Sequence, residues 1–387
     1  MRRIAIVTST RADWGLLHPV ADALRKNDNV ELHIIATNMH LDRARGMTLT
    51  EIEADGFSPI HRVEMPIADD SPESTARAAG CCAGDMAAEL AGIHPDILLI
   101  LGDRFEMLAV ALAATLLAIP IAHVSGGEIT EGAFDDNIRH AISKLSALHF
   151  ATTDSHRRRL IAMGEQPHTV YNTGALGVHN IHNAQLMSPQ ELNDSLGFEL
   201  TPDTFLVTFH PATNDSVDPT ARFSELLKAL EEFPNPILFT APNNDPRSAR
   251  LLEMIEAFLS KHPERVRFIP SLGRKRYLSA LNVVAVVIGN SSSGIVEVPS
   301  AGIPTVDIGV RQRGRTAAPS VIHCGDTAGE IVSAITTALS PEFRDIARQK
   351  QNPYFKADTV DCIVDILCSV DIKSLLPKKF HDIIPLP

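Results

Sequence analysis

The chain has 387 residues, of which 44% are hydrophobic and 21% are charged, a composition typical of a globular protein with more than one domain. Its formal net charge of −12 at pH 7 argues against binding to nucleic acids or membrane surfaces, because both partners need a basic protein face. The charge is still compatible with an anionic small molecule, since a few local arginines can hold one.

The amino-terminal and cysteine patterns predict a cytoplasmic protein. The apolar run in the opening MRRIAIVTST is too short for a signal peptide, and Leu108–Ala122 contains Pro120 and is too short to span a bilayer. The five cysteines form no C-x-x-C pair, and no H-E-x-x-H spacing occurs. We therefore expect neither disulfides nor a metal.

The first half of the chain alternates short apolar runs with helical stretches. The runs that predict buried strands, each followed by a polar turn, are IAIVTST, VELHIIATN, DILLILGD, IPIAHVSGG and ALHFATTD. Stretches such as ADWGLLHPVADALRKN lie between them, with apolar residues three and four positions apart. Continuous apolar strands separated by helices predict a parallel sheet covered on both faces.

The second half repeats this organisation. The alternation weakens between Gly174 and Asp203 and then resumes with FLVTFHP, PILFTAPN, VRFIPSLG, NVVAVVIGN and IPTVDIG. We predict two similar α/β domains, over residues 1–180 and 181–365. A tail over residues 366–387 is expected to pack back on the first domain.

Polar residues gather where the predicted strands end, which is where open parallel sheets bind ligands. They are Thr8 to Asp13, Gly102 to Glu106, Ser125 to Glu128, His210, Asn243 and Gly289 to Ser293. Because they come from both halves of the chain, we expect them to converge on a cleft between the domains. For each residue taken alone, ordinary loop chemistry is the alternative.

Two segments of the first half carry acidic candidates. In LLILGDRFE, Asp103 and Glu106 could cap a helix, or Arg104 could pair with a phosphate. In HVSGGEITEGAFDDNIRH, two glycines allow a close backbone approach to a ligand before Glu128. Asp135 lies four residues before Arg139, so the two form a surface ion pair, or Asp135 and Glu128 face one substrate for acid–base chemistry.

The stretch GNSSSGIVEVP indicates an anion site in the second half. Serines after a buried strand can begin a helix whose free N–H groups face a diphosphate, and Glu297 could accept hydrogen bonds from ribose hydroxyls. Arg311 and its neighbours in RQRGR add local positive charge. His210 is the best functional histidine because it ends a strand. Since no dinucleotide fingerprint follows the first strand, a nucleotide substrate is favoured over a redox cofactor.

Together, these motifs closely resemble those of the hydrolysing UDP-N-acetylglucosamine 2-epimerases. The matching segments are TSTRADWGLL, LGDRFE, SGGEITEGAFDDNIRHAISKLSALHF, LGRKRYLSAL, GNSSSGIVEVPS and VDIGVRQRGR. The resemblance implies a GT-B fold, with two Rossmann-like doubly wound domains and an active-site cleft between them. It also implies a homodimer or homotetramer without a cofactor.

The implied reaction converts UDP-N-acetylglucosamine and water into N-acetylmannosamine and UDP, for sialic acid biosynthesis. Relatives act on UDP-2,4-diacetamido-2,4,6-trideoxyglucose for legionaminic acid, and the motifs are common to both. A GT-B glycosyltransferase and a non-catalytic nucleotide-sugar sensor are the other classes considered.

The resemblance also assigns expected roles to residues. Asp103, Glu128 and Asp135 are the acid–base candidates, Arg139 orients the carboxylates, and His210 stabilises the leaving diphosphate. The residues expected to bind the nucleotide or sugar are Arg11, Asp13, Arg104, His210, Asn243, Ser291, Ser292, Glu297 and Arg311. Asp13 could instead cap the first helix.

Overall fold

The computed structural model describes residues 1–42, 47–69, 71–131, 134–211, 218–242 and 248–383. The described strands are β1 (Arg2–Thr8), β2 (Val30–Thr37), β3 (Ile60–Val63), β4 (Ile97–Leu101), β5 (Ile121–Val124), β6 (Leu148–Ala151), β7 (Val170–Asn172), β8 (Phe205–Thr208), β9 (Ile237–Phe239), β10 (Val266–Phe268), β11 (Val286–Gly289), β12 (Thr305–Ile308) and β13 (Val321–Cys324).

The described α-helices are α1 (Arg11–Arg25), α2 (Leu49–Ala54), α3 (Pro72–Ile93), α4 (Phe105–Leu116), α5 (Asp135–Leu145), α6 (Asp154–Ala162), α7 (Leu176–Asn183), α8 (Pro189–Leu196), α9 (Pro219–Glu231), α10 (Ser248–Lys261), α11 (Gly273–Leu281), α12 (Ser292–Val296), α13 (Val298–Ala301), α14 (Ala328–Leu339), α15 (Pro341–Arg348), α16 (Thr359–Ser369) and α17 (Ile372–Leu375).

These elements form two compact units. The first consists of the described residues of Met1–Glu128, Asp135–His179 and Lys356–Pro387, and the second of those of Ile129–Phe134 and Asn180–Phe355. Each unit has its own sheet, in the order β3-β2-β1-β4-β5-β6-β7 and β10-β9-β8-β11-β12-β13. The strand pairs are parallel throughout. The prediction of two doubly wound parallel-sheet units is confirmed.

The central strand β1 shows why the strands are apolar without interruption. Successive side chains of a strand point to opposite faces of its sheet. Ile4 and Ile6 pack in one apolar cluster, whereas Ala5 and Val7 pack in another. Because helices cover both faces, neither face can be polar.

The carboxyl-terminal segment belongs to the first unit. Val360, Ile363 and Leu367 of α16 join the same core cluster as α1. The Arg2 guanidinium also donates hydrogen bonds to the Leu367 and Val370 carbonyl oxygens, at 2.6 and 2.8 Å, where α16 ends. The second unit ends at Phe355, before the predicted position 365.

Within the described ranges, the helices include none that is both long and apolar enough to cross a membrane.

Candidate active site

The two sheets each have a point where the strand order reverses, and these points are the usual ligand sites of doubly wound sheets. In the first unit the reversal lies between β1 and β4, and in the second between β8 and β11. The predicted site residues follow these strands or their neighbours.

The centre of the first unit's candidate residues is the buried guanidinium of Arg139, which is 1% exposed. It lies one turn into α5 and binds the Asp103 carboxylate. It also donates to Asp136 Oδ1 and to the Glu128 carbonyl oxygen, both at 3.0 Å. Burial would lower the pKa of Arg139, but the charges of Asp103 and Glu128 raise it, so the cation is permanent. One fixed cation thus organises three acidic residues.

Within α5, Arg139 forms an ion pair with Asp136, three residues before it, which was not predicted. Asp135, the predicted partner of Arg139, begins the helix, and its charge helps to raise the pKa of Arg104. The pairing of Asp135 with Arg139 stays a prediction. Arg139 can contact Asp136 because residues i and i+3 lie on the same face of a helix. The same guanidinium also contacts Asp103 in the loop after β4.

Glu128 is a buried carboxylate at the end of the loop that follows β5, with 6% exposure. Its Oε1 accepts a hydrogen bond of 2.9 Å from the Thr152 hydroxyl, which comes after β6. The preceding Gly127 has φ +77°, and a Cβ there would lie 2.6 Å from the His156 carbonyl oxygen. Glycine is therefore required for the close approach that brings Glu128 to its position.

The loop after β4 does not use the capping box that its sequence permits. The N-cap of α4 is Arg104, which has no side-chain capping bond, and Asp103 is held by Arg139 instead. Glu106 is fully buried and accepts from Arg104 Nε at 2.6 Å and from Asn38 at 3.0 Å. Burial would raise the pKa of Glu106, but Arg104 outweighs it and holds that pKa below its usual range.

The residues after β1 have mainly local contacts. Asp13 completes a capping box with Thr10 at the start of α1 and accepts from the Ser9 hydroxyl at 2.5 Å. Burial raises the pKa of Asp13, against the charge of Arg104. Arg11 is exposed and lies 3.8 Å from a Glu51 carboxylate oxygen. The capping role left open for Asp13 is observed, and its role in binding the substrate stays a prediction.

Asn290 joins the two central strands of the second unit. Its side chain accepts from the His210 N–H at 2.7 Å and donates to the His210 carbonyl oxygen at 2.8 Å. Its own carbonyl oxygen accepts from Arg311 Nη1 at 3.1 Å and from Gln312 at 2.8 Å. His210, Asn290 and Arg311 also line one cavity. Asn290 thus fixes the loops that carry two predicted binding residues.

The imidazole of His210 is neutral at physiological pH. Burial, helped by the nearby Arg311 charge, lowers the pKa of His210 to about 3. It can therefore contribute a hydrogen bond, but not a positive charge, to a bound anion.

The serines after β11 begin a short helix. Ser291 is the N-cap of α12 without a side-chain capping bond, and Ser292 is its first residue. The next residue, Ser293, hydrogen-bonds the Tyr277 hydroxyl, and its bond to Glu297 lowers the pKa of that carboxyl. Burial outweighs this bond and raises the Glu297 pKa. Because α12 has only five residues, its dipole is short.

Asn243 lies outside the described residues. Among those that are described, no three His, Cys, Asp or Glu side chains are grouped so that they could hold a metal ion.

Three residues of these clusters were missed by the predictions. Thr152 and His156 follow β6, and the rule that selected other strand ends would have selected Thr152. Asp136 is the neighbour of the chosen Asp135. Asn290 lies within the selected range Gly289 to Ser293, but no role was predicted for it. His156 is recognised only from its contact.

Buried neutral histidines predict an acid-labile fold. The pKa values of His40 and His123 are lowered to about 4, chiefly by burial, and that of His210 to about 3. Below the unfolded value near 6.5 the unfolded chain binds more protons, so stability falls as the pH falls. Each of these histidines should lower the free energy of unfolding by about 2 kcal/mol when the pH falls from 7 to 5.

The measurement is urea denaturation of the wild type and of His40→Gln at both pH values. Between pH 7 and pH 5, the free energy of unfolding of His40→Gln should fall by about 2 kcal/mol less than that of the wild type. The exposed His168→Gln variant is the matched control and should keep the wild-type dependence. Equal losses in all three proteins would contradict the assignment.

Comparisons with known proteins show similarity over most of the chain. The sequence model of the family described as UDP-N-acetylglucosamine 2-epimerase matches residues 22–368. The GDP/UDP-N,N'-diacetylbacillosamine 2-epimerase (hydrolyzing) of Campylobacter jejuni is 33% identical over 384 residues, 99% of each chain. The UDP-N,N'-diacetylbacillosamine 2-epimerase (hydrolyzing) of Legionella pneumophila is 35% identical over 340 residues, 88% of this chain and 89% of that one.

The polysialic acid biosynthesis protein P7 of Escherichia coli is 33% identical over 386 residues, 99% of this chain and 98% of that one. Among solved structures, UDP-GlcNAc 2-epimerase from Neisseria meningitidis bound to UDP-GlcNAc superimposes with a TM-score of 0.79 at 18% identity, covering 95% of this chain and 99% of that one. This likeness concerns the fold and confirms the GT-B class. The family match and the relatives confirm the resemblance found in the motifs, and the chain belongs to the UDP-N-acetylglucosamine 2-epimerase family.

Proposed function

We propose that the protein is a hydrolysing UDP-sugar 2-epimerase, which converts a UDP-2-acetamido sugar and water into UDP and the free sugar inverted at C2. The observation that supports this most strongly is the Arg139 cluster. One buried guanidinium binds the Asp103 carboxylate and the backbone of Glu128. Separate carboxylates in fixed positions suit a reaction that takes a proton from one face of a carbon and returns one to the other.

The proposed reaction has two stages. A carboxylate removes the C2 proton, the C2 electrons form a double bond to C1, and the C1–oxygen bond breaks to release UDP. In the second stage water adds to the resulting 2-acetamidoglucal. Its hydroxyl joins C1, and a proton joins C2 on the opposite face. Asp103, Glu128 and Asp135 are the candidates for these proton transfers.

The second unit supplies the proposed UDP-binding groups. Arg311 provides positive charge for the leaving diphosphate, while neutral His210 and the Ser291 and Ser292 hydroxyls provide hydrogen bonds. Glu297 is proposed to accept from the ribose hydroxyls. Because α12 is short, we assign more of the diphosphate stabilisation to Arg311 and the hydroxyls than to the helix dipole.

For the sugar, we propose UDP-2,4-diacetamido-2,4,6-trideoxyglucose, that is, UDP-N,N'-diacetylbacillosamine, as the first substrate. Two of the three compared relatives have this sugar in their names. The name of the third refers to polysialic acid biosynthesis, so UDP-N-acetylglucosamine is the second candidate. The sugars differ at C4 and C6, and no described contact discriminates between them.

Proton NMR in D₂O with each sugar tests the reaction and the substrate together. We expect free UDP and a C2-inverted sugar that carries deuterium at C2, formed faster from the diacetamido sugar. Formation of a UDP-linked epimer instead of free UDP would show that the protein epimerises the sugar without hydrolysing it. UDP release only after an acceptor is added would indicate a transferase, and binding of both sugars without turnover would indicate a sensor.

A further inference from the structure

Behind Glu128 lies a pair of buried polar residues that the proposed reaction does not use. These are Thr152, at the carboxyl end of β6, and His156, in the first turn of α6. Their exposed fractions are 2% and 1%. Buried polar groups almost always form hydrogen bonds with one another. The direction of these bonds therefore shows which group donates a proton and which accepts it.

The Thr152 hydroxyl lies between two partners. Its oxygen is 2.9 Å from Glu128 Oε1 and 2.9 Å from His156 Nδ1. A hydroxyl has one proton, and an ionised carboxylate can only accept. When Glu128 is ionised, Thr152 therefore donates to Glu128 and accepts from His156, which fixes the proton of a neutral imidazole on Nδ1.

The backbone joins the same elements a second time. Arg159 of α6 donates to the Gly127 carbonyl oxygen, and Gly127 lies directly against the His156 carbonyl. The first two turns of α6 therefore contact both the main chain before Glu128 and, through Thr152, its side chain. Independent contacts from His156 and Arg159 indicate that α6 sets the position of this carboxylate.

The charged groups that face Glu128 come from two helices. Arg139 of α5 and Arg159 of α6 both interact with its charge, and Asp136 interacts with both arginines. These arginines remain when Thr152 is changed. A change in the ionisation of Glu128 in a Thr152 variant is therefore attributable to the lost hydrogen bond.

We propose that Thr152 and His156 are positioning residues that act through Glu128, holding its carboxylate ionised and in one orientation for proton transfer. This inference rests on the proposed function for its kinetic consequence. Its structural content, a directed chain from His156 Nδ1 through the Thr152 hydroxyl to Glu128, is independent of the reaction.

Thr152→Val removes the hydroxyl while keeping the shape of the side chain. Loss of a hydrogen bond to the charged form disfavours that form. We expect the acidic limb of the kcat profile to move up by about one pH unit, so that kcat falls about tenfold at pH values below both midpoints and little on the plateau above them. KM should stay within about twofold, because the change acts on proton transfer rather than on substrate binding.

Three variants make the test specific. Thr152→Ser keeps the hydroxyl and should retain the wild-type pH profile. His156→Asn keeps a donor near the Nδ1 position and should do the same, whereas His156→Leu should shift the profile in the direction of Thr152→Val. If Thr152→Ser behaves like Thr152→Val, packing rather than the hydrogen bond explains the effect and the proposal is overturned.

A second readout needs no turnover. In the full-length protein labelled with ¹³C at the glutamate carboxyls, the Glu128 signal is assigned by its absence in Glu128→Gln. Its titration midpoint should rise by about one unit in Thr152→Val and stay unchanged in Thr152→Ser. An unchanged midpoint in Thr152→Val overturns the proposal. If the wild type turns over neither UDP-sugar, the proposed reaction fails, and the midpoint still decides this inference.

Discussion

Glu128→Gln is expected to lower turnover of the UDP-sugar by at least about 100-fold, the loss typical of removing a general acid or base. Glutamine has nearly the same size, and its carbonyl oxygen can still accept from the Thr152 hydroxyl, so the loop after β5 should keep its shape. It cannot take up a proton. The effect should appear in kcat, measured by the release of UDP.

Binding of UDP gives the second half of this test. The affinity of Glu128→Gln for UDP, measured by calorimetry, should stay within about twofold of the wild type, because Glu128 is not among the residues proposed to bind UDP. The control is Glu131→Gln, which changes the next carboxylate along the chain, one that is exposed. The control should turn over normally. Wild-type turnover in Glu128→Gln would remove Glu128 from the mechanism.

Gly289→Ala is expected to unfold the second unit. Gly289 ends β11 with φ +140° and pairs with Thr208 of β8. A Cβ at this position would lie 1.8 Å from the Thr208 carbonyl oxygen, which is backbone and cannot turn away. The two central strands would have to separate, so we expect a loss of more than about 4 kcal/mol, near the whole stability of a typical domain.

Circular dichroism during urea denaturation measures this loss. The matched control is Gly84→Ala on the exposed side of α3, where a Cβ would meet no atom within 4 Å. Alanine there should stabilise the first unit by about 0.5–1 kcal/mol, because it favours the helix. A Gly289→Ala protein as stable as the wild type would show that the strands can move apart at low cost.

The strands that the sequence did not predict all lie at sheet edges. The apolar runs predicted ten strands, including the edge strand β10, whose run VRFIPSLG continues with further apolar residues. The three described strands absent from the prediction, β3, β7 and β13, contain IHRV, VYN and VIHC. An edge strand has one neighbour, so it can carry polar residues that break the apolar signal.

The candidate site shows a similar division. Strand-end position selected Asp103, Glu128 and His210. In a parallel sheet, the residues that follow each strand lie at the same carboxyl edge, so their place can be read from the sequence. It could not show that Asp103 binds Arg139 rather than capping α4, since that choice depends on where α5 packs. The same holds for the link between His156 and Glu128 through Thr152, because that link depends on how α6 packs against the β5 loop.

The return of α16 to the first unit has a consequence for biosynthesis. A ribosome makes residues 1–179 before residues 180–355 and makes α16 after both. During that interval the apolar face of α1 lacks the side chains of Val360, Ile363 and Leu367, which complete its core. The second unit can therefore finish folding first, although its synthesis begins later, and the nascent first unit must keep an exposed apolar face from aggregating in the meantime.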